Sequence, residues 1–163
     1  MTIIPTPAEQ AWLDQEDKNT AEIIRTRGVF IPYVIGDSRV QLPSFAYTIG
    51  LFGIGHPELL VMGIDQNTAG ALLNDVADQV RDGRVLFPGE LLTFEQWSHR
   101  VTVEEVPNPG EIAFAANRFY QKADWCSVPL LQLTYDDKNG RFPWESGYSN
   151  PDWIQPRPGS FRA

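Results

Sequence analysis

With 163 residues the chain has the length of one ordinary domain, and 42% apolar with 21% charged residues exclude a disordered protein. Its formal net charge of −8 argues against binding to phosphate backbones, and no apolar run is long enough to span a bilayer. The single cysteine, Cys126, can form no internal disulfide and no signal-like stretch opens the chain, so a cytoplasmic protein binding neither nucleic acid nor membrane is expected.

Thr6, Pro7 and Glu9 have the spacing of a capping box with proline in the first turn, which starts a helix over about 6–27. Trp12–Leu13 and Ile23–Ile24 lie three turns apart and share a face. The polar stretch Gln15–Asn19 between them predicts a bulge or break, and Gly28 is the terminator. Val29–Ile35 reads as a strand that Pro32 confines to an edge or a bulge. Phe45–Leu51 and Glu58–Ile64 read as antiparallel neighbours joined through Gly53 and Gly55, and the non-alternating Leu59–Met62 predicts cover on both faces.

Asp65 caps a second helix whose stripe is Ala69, Leu72, Leu73, Val76 and Val80, ending at Gly83. Short strands are predicted at Val85–Phe87 and Leu91–Phe94, and Arg100–Val106 alternates as a strand with one wet face. A third helix carries Ile112, Ala115, Ala116, Phe119, Tyr120 and Ala123. Leu130–Tyr135 is a strand, and Asp136–Gly140 turns into a tail rich in proline and aromatic residues. The elements do not alternate strictly, so the class is α+β: a mixed, mostly antiparallel sheet with about three helices and a C-terminal tail. A single domain is expected over 1–163, with its core over about 28–135 and its tail over about 136–163.

The segment from Tyr47 to Leu59 is the most unusual. Pro57 favours an extended His56, and two-residue spacing then puts His56 and Glu58 on one side of the backbone, where the carboxylate could orient the imidazole. The plainer alternative is that both side chains bond backbone groups exposed by the tight loop. Other chemistries are poorly supplied. Two histidines (His56 and His99) and one cysteine lack metal-ligand spacing, no Gly-x-Ser-x-Gly elbow exists, and Gly50, Gly53 and Gly55 do not match a dinucleotide fingerprint. His99 reads as an exposed residue at a strand entrance, and Cys126 as a small hydrophobe.

Phe45-Ala46-Tyr47-Thr48-Ile49-Gly50-Leu51 followed by His56-Pro57-Glu58-Leu59, with Leu131–Tyr135, Gly140–Trp144 and Gln155-Pro156 later, resembles the bacterial domain of unknown function 4262 family. That resemblance implies a small bacterial intracellular protein and carries over no catalytic residues. The leading reading is a non-catalytic module that binds a small molecule or a protein at the Tyr47–Glu58 hairpin, with Tyr47, Thr48, His56 and Trp144 as contacts. The alternatives are a hydrolase-like enzyme using His56 with Glu58, with or without a metal, and an acidic inhibitor of a basic partner. A flavin-binding barrel ranks below these. The residues specify no cofactor, ligand or oligomeric state.

Overall fold

The computed structural model describes residues 3–163, so the first two residues of the expected span lie outside it. In chain order the elements are α1 (Pro7–Arg27), β1 (Tyr33–Val34), β2 (Phe45–Tyr47), β3 (Glu58–Met62), α2 (Gln66–Arg81), β4 (Leu91–Phe94), β5 (Trp97–Glu105), α3 (Phe114–Phe119) and β6 (Leu130–Tyr135). The six strands form one sheet in the order β1-β2-β3-β6-β5-β4. Only the central β3–β6 pair is parallel; every other pair is antiparallel. The fold is therefore α+β, and the two central strands are buried along their whole length.

Strand periodicity divides the core in two. Leu59, Val61, Val101, Val103, Leu131 and Leu133 face the stripe of α2, where Leu72, Leu73, Val76, Ala77 and Val80 cover them. Phe45, Tyr47, Leu60, Met62 and Leu130 face the other way, onto Ile112, Ala116 and the tail's Phe161. Each fully buried aliphatic side chain contributes about 1.5–3 kcal/mol relative to an exposed one.

Several local expectations are corrected. α1 has its capping box and its Gly28 cap, but it runs unbroken through Gln15–Asn19. Side-chain bonds one turn apart, Gln10 to Asp14 (2.8 Å) and Gln15 to Asn19 (3.0 Å), support its polar middle. Its supposed apolar face is largely outside the core, since Trp12 is 63% exposed. β1 is an edge strand but only two residues long, and β2 ends at Tyr47 because the chain turns at Gly50. Val85–Phe87 forms no strand, because the N–H of Leu86 donates to His56 and that of Phe87 to Glu90. α3 spans six residues and stops where Gln121 takes a left-handed φ of 55°. Among the described residues no helix is long and apolar enough to cross a membrane.

Side-chain bonds to main chain fix the tail. Gln155 accepts from the Tyr135 N–H (2.9 Å) and donates to the Tyr135 carbonyl (3.0 Å), standing in for a strand partner at the end of β6. Asp137 accepts from the backbone of Asn139, Arg141 and Ser149 and from the Ser149 hydroxyl. Burial pushes the Asp137 carboxyl up, but these donors prevail and bring it down to about 2. The folded value lies below the ordinary one of about 3.9, so the anchor is complete above that pH and is lost as pH falls toward 2. The amide shifts of Asn139, Arg141 and Ser149 are accordingly expected to titrate together with a midpoint at about 2. A midpoint near 4 would show that the loop holds Asp137 no better than solvent does.

Candidate functional site

The hairpin between β2 and β3 is built around buried polar groups. Gly50 has a φ of 139° and sits against the chain after α1, where a Cβ would lie 2.7 Å from the Gly28 carbonyl oxygen. This conformation and approach suit glycine alone. The chain then forms a tight turn over Phe52–Ile54 and closes with Gly55 in the left-handed region. The N–H groups of Gly50, Leu51 and Phe52 consequently converge on the carboxyl of Glu58, at 3.1, 2.5 and 2.9 Å. Glu58, the first residue of β3, has no exposed surface. Burial pushes its carboxyl up to about 8 against the pull of those donors and of the Thr48 hydroxyl. Its own burial, and after it the same carboxyl, push the Tyr120 phenol up to about 12, and that phenol accepts from the Gly53 N–H.

His56 is 6% exposed and engages different partners. Its Nδ1 lies 2.8 Å from the Pro57 carbonyl and donates to it, while Nε2 accepts from the Leu86 N–H at 3.2 Å. Both ring nitrogens are thus used by the main chain, and the ring ties the hairpin to the segment after α2. His56 and Glu58 therefore do not form a hydrogen-bonded acid–base pair, although the sequence places them on one side of an extended backbone. Glu58 instead bonds N–H groups of the loop, and His56 bonds the Pro57 carbonyl and the N–H of Leu86.

The other residues marked in the sequence have partners of their own. Thr48 is fully buried, and its hydroxyl accepts from the Leu59 N–H at 2.9 Å. Tyr47 is 3% exposed, its phenol accepts from the Ala115 N–H at 2.9 Å, and burial pushes its pKa up. Trp144 lies half-exposed in the tail. It is stacked on Phe142 at 4.9 Å with the Arg157 guanidinium 4.8 Å from its ring centroid, while the Arg100 guanidinium lies over Phe142. Cys126 is exposed rather than buried. Among the described residues no three of His, Cys, Asp and Glu are grouped to hold a metal ion.

A second arrangement lies along β5, where sequence reading marked His99 only as exposed. Trp97, His99, Val101 and Val103 alternate onto the α2 side of the sheet, so His99 is partly covered. Its Nδ1 lies 2.9 Å from both the carbonyl and Oδ1 of Asp136, whose carboxylate also accepts from the Arg100 backbone and guanidinium at 3.2 Å. The imidazole so oriented packs 4.8 Å from the Trp97 ring, and Tyr135 braces Trp97 at 6.2 Å. Trp97 in turn stands 6.0 Å from Phe94 across the β4–β5 hairpin.

Phe94, Gln96 and Trp97 line one side of a groove of about 340 Å³; Ala71, Leu72 and Asp75 of α2 line the other, with Asn67 and Thr68 at the helix start. The signal for the wall was available in the sequence as the period-two pattern Trp97-x-His99-x-Val101-x-Val103. The Asp136 contact was not, because it spans 37 residues.

The chain thus defines a class: a mixed α+β sheet with helices on both faces, an internally bonded β2–β3 hairpin and an aromatic-walled groove. A family model described as domain of unknown function (DUF4262) matches residues 23–149, and the chain belongs to that family. The matched span includes both the hairpin and the groove. No curated protein and no solved structure matches the chain.

Proposed function

We propose that the chain is a non-catalytic module that binds a small molecule in the groove between α2 and the β4–β5 hairpin. The observation that carries this reading is the groove's construction. A small concavity has two aromatic rings, aliphatic carbons and a few polar groups on its walls, the composition that small-molecule sites share. Apart from Gln96 in the β4–β5 turn its walls belong to regular elements, and Trp97 is braced through His99 by the buried Asp136, so the shape is set before a ligand arrives. The hairpin supports the same reading from the other side. Its imidazole and carboxyl are engaged with backbone N–H and C=O groups, which suits holding a fold more than moving protons.

Ala71 is exposed in the groove, so Ala71→Trp fills the space without removing a buried contact. Compounds from a metabolite panel that raise the wild-type melting temperature are expected to leave Ala71→Trp unmoved. Stabilisation that persists in Ala71→Trp and disappears in His56→Ala would return the site to the hairpin. A turnover activity lost in His56→Ala would overturn the non-catalytic reading.

A further inference from the structure

We infer that the ligand of this groove is a small organic ammonium ion with an apolar body; the inference rests on the binding-module reading above. Asp75 is the only charged side chain among the lining residues. The Gln79 amide donates to its Oδ1 at 3.0 Å, which orients the carboxylate on the helix surface. No lysine or arginine lines the groove. The start of α2 would ordinarily favour an anion, but the Asp65 carboxylate already occupies it, accepting from the Thr68 backbone at 3.0 Å and the Thr68 hydroxyl at 2.7 Å. An arriving anion would therefore meet Asp75 and a helix end that is already capped, on a protein of net charge −8.

The opposite wall favours the same sign. The rings of Phe94 and Trp97, 6.0 Å apart and inclined at 55°, both line the groove. Ring faces attract cations, and tryptophan does so best. A ligand with its ammonium between Asp75 and the two rings and its carbon body along Leu72 satisfies both walls. A neutral molecule of the same shape could hydrogen-bond to the wall but would gain no charge pairing, and a carboxylate would be repelled by Asp75.

The test uses three probes of one shape: 2-phenylethylammonium, 2-phenylethanol and phenylacetate. The readout is the Trp97 indole N–H, one of five indole signals in the chain and assigned with Trp97→Phe. The ammonium is expected to shift that signal with a Kd at least about tenfold below that of the alcohol, and Asp75→Asn is expected to remove most of the difference. Equal affinity of ammonium and alcohol at Trp97, or tightest binding by phenylacetate, would overturn the inference while leaving the groove as a binding site. Shifts confined to residues away from the groove, or none from any probe, would overturn the inference and count against the groove as well.

Discussion

Replacing Glu58 by alanine is expected to destabilise the protein by about 3–5 kcal/mol, among the largest single losses the chain can show. The reason is the turn rather than the side chain's own packing. The N–H groups of Gly50, Leu51 and Phe52 have Glu58 as their common acceptor, and truncation leaves them facing a small void. Each buried donor without a partner costs about 1–3 kcal/mol. Glu58→Gln keeps one oxygen for Leu51 and Phe52 but sets an amide N–H against that of Gly50. It should therefore cost less than alanine, in denaturant melts at pH 5.

The same residue sets a pH dependence. Folded Glu58 holds its proton up to about 8, whereas an unfolded glutamate releases it near 4.5. Between those values the folded state binds more protons than the unfolded one, so stability falls as pH rises across the window and levels off above it. The Thr48 hydroxyl, on the same carboxyl, can serve either charge state. The loss from pH 5 to pH 8 is on the order of 4 kcal/mol, and Glu58→Gln should remove it. A wild-type stability that rises from pH 5 to pH 8 by a Glu58-dependent amount would show instead that the three donors outweigh burial.

The second large effect is expected from Gly63→Ala, at about 3 kcal/mol or more. Gly63 joins β3 to the start of α2 with a φ of 76°, and a Cβ there would lie 2.2 Å from the carbonyl oxygen of Ile154. Alanine therefore meets both left-handed strain and the backbone of the tail. Gln155 is the next residue along, so relieving the clash pulls its amide from both bonds with Tyr135. Thermal melts should show the loss. Tyr135 also packs on Trp97, so the Trp97 indole signal should shift in the variant. A stable variant with an unmoved tail would mean that the β3–α2 turn tolerates a side chain.

Much of the fold is legible in local sequence. The Thr6–Glu9 capping box, the Asp65 cap, the α2 stripe, the apolar run Leu59–Met62 of β3 and the strand Leu130–Tyr135 are patterns of neighbouring residues, and all of them form as read. The parallel pairing of β3 with β6 is not of that kind. Periodicity says which face a strand buries and nothing about which strand lies beside it, and these two are separated by α2, the β4–β5 hairpin and α3. The hairpin was visible as a place, but the two-residue spacing of His56 and Glu58 suggested a pair. Spacing gives the side of the backbone only. The turn at Gly50 brings three N–H groups to Glu58, while Leu86 reaches His56 from after α2. The groove was hidden for the same reason: Phe94 and Trp97 are near in sequence, but Asp75 and Ala71 come from another element and Asp136 from a third.

The location of binding is the claim on which the rest turns, and amide-shift mapping of the labelled protein against a mixed fragment set tests it most directly. The account predicts saturable shifts at Asn67, Thr68, Ala71 and the Trp97 indole, with Gly50 to Glu58 unmoved. Saturable shifts centred on Gly50 to Glu58, with the α2 groove silent, would contradict it.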